Sequence, residues 1–247
     1  MTNIIESFAT KNKCYQAATP LYPRGIMLHS IGCPQPNASV MAQNFNQYRP
    51  NGQSVCVHAF VQRDGTVYQT LPWTVQAWHC GGSANSTHIG VEMTEPSAGM
   101  TRSEAAEQIA GTYRTVVELF AELCKQYELD PAQDGVIIGH AEGHRRGVAS
   151  NHADPELLWR TYDMGYTMDG FRRDVAEAMK NGAREEALDM PRYDSVAEMP
   201  QWARAGVQRL IDRGALQGNT DGKLDVSEDM LRTMIVCQRM LDEQKET

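Results

Sequence analysis

The sequence is organised around residues 136–140, VIIGH, where a short apolar run ends at His140. An apolar run of this length between polar segments is typical of a buried strand. Residues 25–30, GIMLHS, repeat the pattern, with an apolar run that ends at His29. Strand ends that face loops are where α/β proteins concentrate their binding and catalytic side chains. The two histidines are therefore the first candidates for a functional site.

A carboxylate follows the second histidine in the loop 141–154, which ends at Asp154 before a proline. His29, His140 and Asp154 together would form a three-ligand metal set with an open fourth position, which is typical of a catalytic zinc site. The alternative is two core histidines and an unrelated loop aspartate. The HAEGH pattern at 140–144 is similar to a metalloprotease helix, but its glutamate is misplaced and its glycines argue against a helix. We reject that interpretation.

Composition bounds the class of protein. The 247 residues allow one full domain plus a small one. A net charge of −8 argues against a nucleic-acid partner, since binding to the phosphate backbone needs clustered positive charge. The six cysteines are scattered without a C-x-x-C pair, so we expect free thiols, buried at Cys56 and Cys124, and no disulfide framework.

The N-terminal residues show neither a signal peptide nor an integral membrane segment. We therefore expect synthesis in the cytoplasm, with any extracellular target reached by another route.

Strands alternate with helices along the first two thirds of the chain. Thr101 and Glu104 form a capping-box pattern before a long amphipathic helix. The alternation predicts an α/β fold, a central mixed β-sheet flanked by helices, over a domain at 1–180. Residues 181–199 are polar and proline-containing and predict a linker. Residues 200–247 predict a small all-α C-terminal module. The strands are expected at 25–29, 54–60, 67–71, 89–93 and 136–140, with an Asp-Gly hairpin turn at 63–66, and a last helix of the main domain is expected at 168–180.

Five motifs occur in a fixed order: LHS at 28–30, RDGTV at 63–67, AWHCG at 77–81, IGVE at 89–92, and GH at 139–140 continuing to ADP at 153–155. Together they resemble the zinc-dependent N-acetylmuramoyl-L-alanine amidases of the T7-lysozyme and peptidoglycan-recognition-protein superfamily. The loop GVASNHADP at 147–155 looks most like the clostridial and phage endolysin branch. The resemblance covers about residues 10–165.

The resemblance implies Zn²⁺ as the cofactor, with His29, His140 and Asp154 as its ligands. In better-known bacterial members the third ligand lies about ten residues past the second. Here Asp154 lies 14 residues past His140 and 10 past His144. We prefer His140, because its strand directs it towards His29, and His144 stays the alternative.

The family's catalytic glutamate falls on Glu92, and the position two before the third ligand falls on His152, a candidate for oxyanion stabilisation. His79 is expected to line the substrate groove, with Trp78 packing beneath it. A solvated carboxylate at 92 and a merely polar histidine at 152 are the plain alternatives.

The implied function is hydrolysis of the amide between N-acetylmuramic acid and L-alanine in bacterial peptidoglycan. The protein would be an endolysin or autolysin acting on the cell wall after release. The alternatives are a non-catalytic peptidoglycan-binding module and a cytoplasmic muropeptide-recycling amidase. Residues 200–247 weakly resemble one S-layer-homology-like repeat, which predicts cell-wall binding or homo-oligomer formation. A plain stabilising helical pair is the alternative.

Overall fold

The structure is a computed structural model that describes residues 2–47, 55–189 and 191–243. Six strands form one sheet in the order β1-β4-β3-β5-β2-β6. The strands are β1 (Asn3–Glu6), β2 (Gly25–Ser30), β3 (Ala59–Val61), β4 (Thr66–Gln69), β5 (His88–Met93) and β6 (Ile137–Gly139). All pairings are parallel except that between β3 and β4, which form the predicted hairpin.

The two faces of the sheet pack against different parts of the protein, because side chains alternate between the faces along a strand. Ile26 and Leu28 of β2 and Val91 of β5 point into the main hydrophobic core. Met27 of β2 lies on the opposite face, in a separate small cluster under the loops. His29 follows Met27 with the same parity and so shares the face that carries the site.

Helices pack on both faces of the sheet. The first six helices are α1 (Lys13–Ala17), α2 (Ala38–Phe45), α3 (Arg102–Gln126), α4 (His140–Arg145), α5 (Glu156–Thr161) and α6 (Met168–Asp189). Thr101 caps α3 with the predicted capping box to Glu104. Phe120 of α3 and Phe171 of α6 pack edge to face, 5.0 Å between ring centroids, within the core.

The predicted fold class, a mixed central sheet flanked by helices, is therefore confirmed. The strand β1 was not expected from the sequence, and one expected strand is shorter than predicted. Of the expected strand 54–60, position 54 lies outside the described residues, and regular pairing begins only at β3.

The segment after β6 is a helix, so the expectation that glycines would prevent one there is wrong. Gly139 is the extended N-cap residue of α4 rather than part of it, and its amide donates to the Glu142 carboxylate at 3.3 Å. Gly143 lies inside α4. A Cβ at this position would come within 2.9 Å of the Met27 side chain, which favours glycine there. The glycine costs helix propensity but permits α4 to pack directly on β2.

The expectation of no disulfide is also wrong, because Cys14 and Cys56 are bonded across 42 residues. The bond joins α1 to the segment before β3, and the spacing of the cysteines in the sequence does not predict this pair. Cys124 is a buried free thiol in α3, as predicted.

The chain divides into two compact units, Met1–Asn181 and Gly182–Thr247. The second unit contains α7 (Gln201–Asp212) and α8 (Glu228–Glu243), and α8 is capped by Ser227. It is not all-α, because β7 (Arg192–Tyr193) and β8 (Val226–Ser227) form a small antiparallel sheet. The predicted linker 181–199 contains the last residues of α6 and the strand β7.

The second unit has its own apolar core. Val207 of α7 and Leu231 and Ile235 of α8 are buried together. A Cβ at Gly206 would lie 2.0 Å from the Ile235 side chain, so the two helices approach closely there. Among the described residues no helix is both long and apolar enough to cross a membrane.

We expect the Cys14→Ala/Cys56→Ala double variant to unfold at lower urea concentration than the wild type. Closing a loop of this length removes conformational entropy from the unfolded chain, worth about 2–4 kcal/mol. Cys237→Ser, at an exposed free thiol, is the matched control and should leave the midpoint unchanged. Thiol titration of the denatured, unreduced protein should find four reactive cysteines; six would contradict the bond.

Candidate metal centre

The register of three parallel strands brings the site together. His29 on β2 lies directly opposite Glu92 on β5. On its other side β2 pairs with β6, with Leu28 opposite Gly139. His140 is the next residue after Gly139, so it emerges beside His29 at the carboxyl edge of the sheet. Strand pairing alone thus places the imidazoles of His29 and His140 and the carboxylate of Glu92 at one edge of the sheet.

Asp154 completes the cluster from the loop that precedes α5. Its Oδ2 lies 3.2 Å from His29 Nδ1, and its Oδ1 lies 3.5 Å from His140 Nδ1. The Nδ1 atoms of His29 and His140 are 3.0 Å apart. The donor atoms of His29, His140 and Asp154 all lie within 4.8 Å of one another. Two nitrogen donors and one carboxylate oxygen make a group that could bind a metal ion.

The electrostatics of the group favour the protonation states that a metal needs. Burial lowers the pKa of His29, which keeps its imidazole neutral. Burial alone would raise the pKa of Asp154, but hydrogen bonds from His140 and His29 outweigh it and hold that pKa well below its usual range. A neutral imidazole and an ionised carboxylate are the forms that coordinate metal ions.

Glu92 lies beside this group with an unpartnered oxygen. Its Oε2 is buried and has no hydrogen-bond partner in the described part of the chain. Burial raises the pKa of Glu92 well above its ordinary value, and the neighbouring Asp154 and Glu95 raise it further. A buried polar atom without a partner is costly, so such an atom is a candidate for a role in chemistry.

His79 contacts His29 through the ring nitrogen that does not face Asp154, and it also lines the cleft above the group. Its Nδ1 is 2.8 Å from His29 Nε2, and its Nε2 is 3.2 Å from the backbone oxygen of His88. Burial lowers the pKa of His79 well below its ordinary value, and the neighbouring rings of His29 and His58 add to the shift. Trp78 is 37% exposed and is not among the described residues that line the cleft.

His152 stands at the outer side of the group. Its ring stacks on that of His140 with 4.5 Å between centroids and an interplanar angle of 4°. Its Nδ1 lies 3.9 Å from Asp154 Oδ1, and its side chain is 61% exposed. His144, one helical turn after His140 in α4, is exposed and lies outside the donor group.

A cleft of about 740 Å³ opens above these residues. His29, Glu92, His140 and Asp154 line it together with His79 and His152. Apolar side chains line it as well, among them Phe45, Val55, Pro96, Leu157 and Leu158. A cleft with an apolar lining and a few convergent polar groups is typical of a substrate site.

One residue of the site was missed from the sequence. Ser150 accepts from His140, with 3.3 Å between Oγ and Nε2, and its hydroxyl donates to the Cys80 carbonyl at 2.9 Å. A serine inside a polar loop carries no signal of its own, because its role depends on the fold of two separate loops.

The N-acetylmuramoyl-L-alanine amidase family matches residues 19–157. No curated protein matches the sequence.

Three solved structures share the fold. The hydrolase AmiA of Staphylococcus aureus, solved with its ligand, has a TM-score of 0.56 and 21% identity, covering 75% of this chain and 86% of its own. The catalytic domain of XlyA has a TM-score of 0.51 and 22% identity, with 70% and 99% covered. A mutant form of PlyL has a TM-score of 0.53 and 18% identity, with 71% and 99% covered.

The matched segment runs from before β2 to the start of α5 and holds every member of the donor group. It spans more than half of the chain. The chain therefore belongs to the N-acetylmuramoyl-L-alanine amidase family.

Proposed function

We propose that this amidase hydrolyses the bond between the lactyl group of N-acetylmuramic acid and L-alanine with the help of a zinc ion held by His29, His140 and Asp154. The observation that carries the proposal is the convergence of these three donors beside Glu92 on the cleft floor. Three ligands about 2.0–2.1 Å from a tetrahedral zinc would lie roughly 3.3–3.5 Å apart. The two Nδ1 atoms, 3.0 Å apart, and the His29 Nδ1–Asp154 Oδ2 pair, 3.2 Å apart, are close to that spacing, and one donor atom from each of the three residues lies within 4.8 Å of the others.

When bound, zinc would polarise the scissile carbonyl and lower the pKa of a water molecule to about 7. The remaining steps belong to the side chains of the cleft. Glu92 Oε2 takes the proton of the attacking water, since no other hydrogen bond within the described residues occupies that atom. Its raised pKa then favours delivery of the proton to the leaving amine of L-alanine.

His152 is the candidate for stabilising the oxyanion that forms on the carbonyl. It is the exposed imidazole at the cleft edge, and stacking on His140 fixes the plane of its ring. A donor in this position acts only when negative charge develops, so it lowers the barrier without tightening substrate binding.

The biological setting stays a proposal as well. An endolysin or autolysin that meets the peptidoglycan wall after release agrees with the family. The unit from Gly182 onward is the candidate for cell-wall binding or self-association, and Trp202, exposed on α7 with the Arg232 guanidinium 5.6 Å from its ring, is the place to begin mutagenesis.

Thorough chelation is expected to abolish the clearing of cell-wall suspensions, and added zinc should restore it. Digested walls should show new L-alanine amino groups by mass spectrometry without new reducing sugar ends. Asp154→Ala should bind zinc more weakly by about 3 kcal/mol or more, because an oxygen ligand is lost. Full activity in metal-free buffer would rule out the mechanism.

Glu92→Gln is expected to change stability and activity in opposite directions. The folded-state pKa of Glu92 is raised, so its stabilising contribution is full below the ordinary pKa of 4.5 and is lost as pH rises through the folded-state value. Each unit of raised pKa corresponds to about 1.4 kcal/mol. Urea unfolding of the metal-free protein should therefore show the variant gaining on the wild type at alkaline pH, while its turnover of cell walls is lost.

Glu107→Gln, at an exposed position of α3, is the control for the Glu92 experiment and should change neither quantity. A stability difference that is the same at acid and alkaline pH would contradict a raised pKa at Glu92.

His152→Ala is expected to lower kcat by about 10²–10³-fold with little change in KM, since it removes a donor used only in the transition state. His144→Ala is the matched control in the neighbouring helix and should leave kcat and zinc affinity unchanged. If His144→Ala instead abolished zinc binding, the choice of His140 as second ligand would be wrong.

A further inference from the structure

In each candidate histidine ligand, the Nε2 atom begins a chain of two hydrogen bonds that ends at a backbone carbonyl. From His29 the chain of contacts runs from Nε2 to His79 Nδ1 at 2.8 Å, and from His79 Nε2 to the His88 oxygen at 3.2 Å. From His140 it runs from Nε2 to Ser150 Oγ at 3.3 Å, and from Ser150 Oγ to the Cys80 oxygen at 2.9 Å.

The direction of each chain follows from its last member. A carbonyl oxygen carries no hydrogen and can only accept. His79 must therefore donate from Nε2, which leaves its Nδ1 in the neutral ring as an acceptor for His29 Nε2–H. Ser150 in turn gives its single hydroxyl hydrogen to Cys80, so its oxygen accepts from His140 Nε2–H.

We infer that His79 and Ser150 are positioning residues that hold His29 and His140 in the tautomer with bare Nδ1 atoms, so that both imidazoles offer Nδ1 to the same metal ion. The inference rests on the metal site of the proposed function. It places the proton of each ring on Nε2, and it assigns His79 to the support of a ligand where the sequence predicted contact with substrate.

The two carbonyls that end the chains belong to one segment. Cys80 lies at the glycine-rich bend between β4 and β5, and His88 is the first residue of β5. Asn85 holds this bend together, since its Oδ1 accepts from the backbone amides of His79 and Cys80, each at 2.9 Å. The segment 80–88 therefore orients both candidate ligands, His29 in β2 and His140 directly after β6.

The sheet makes room for this arrangement at Gly90. A Cβ on Gly90 would lie 2.4 Å from Cγ of the His79 ring. Gly90 is opposite Met27 in the pairing of β5 with β2, two residues before the pair of Glu92 and His29. The missing side chain lets the His79 imidazole lie against the strand and reach His29.

The test compares zinc affinity in the full chain, measured by competition with a chromophoric chelator. His79→Phe keeps an aromatic ring but removes the acceptor, and Ser150→Ala removes a single oxygen. Each should weaken zinc binding by about 10- to 100-fold, the effect expected when a partner of a ligand is lost. His79→Asn and Ser150→Thr, which keep an acceptor at that place, should stay close to the wild type.

A second readout reports the tautomers directly. In the zinc-loaded wild type, nitrogen NMR of the imidazoles should find the ring protons of His29 and His140 on Nε2. Protons on Nδ1 would overturn the inference, as would unweakened zinc binding by Ser150→Ala or by His79→Phe with wild-type melting temperature in the metal-free form. If His79→Phe does not fold, Ser150→Ala and the NMR measurement decide.

Zinc binding by the wild type and by the variants separates the metal site from the positioning roles. A wild-type protein that binds no zinc would overturn the proposed metal site and the inference with it. A wild-type protein that binds zinc, with variants that bind it equally well, would overturn the positioning roles and leave the proposed function standing.

Discussion

The site depends on the pairing of β2 with a parallel neighbour on each side. Because the strands are parallel, their carboxyl ends meet at one edge, and the register sets His29 opposite Glu92 and beside the start of α4. A shift of one residue in either pairing would turn the affected side chains to the other face. The apolar partners of the same strands, Ile26 and Leu28, lie in the core and oppose such a shift. Packing of the core on one face therefore fixes the positions of His29 and Glu92 on the other face.

The proposed metal group combines donors at strand ends with a donor from a loop. His29 and His140 are nearly fully buried, at 2% and 3% exposure, and leave the sheet from paired strands. Asp154 comes from a loop, and the amide of Ser30 holds its carboxylate at 3.3 Å. The carboxylate is thus tied to the end of the strand that carries His29, so the loop ligand shares the order of the sheet.

The sequence predicted those parts of the fold and site that depend on local pattern. Apolar runs ending in histidine, an Asp-Gly hairpin and a capping box each identify themselves within a few residues. It failed where distant contacts decide. The role of Gly143 depends on Met27, the Cys14–Cys56 bond depends on the approach of two segments, and Ser150 is defined by two loops. His79 was identified as a site residue, but its contact with His29 could not be read from spacing.

Gly90 shows how the proposed site restricts the residue types that the strand beneath it can contain. Glycine in the interior of a central strand weakens it, and a β-branched residue would ordinarily strengthen such a position. Here any added methyl group would meet an imidazole ring. An engineer seeking a more heat-resistant amidase would therefore look for stabilising substitutions elsewhere, in the helices or at surface turns, because a side chain at Gly90 would displace the His79 ring.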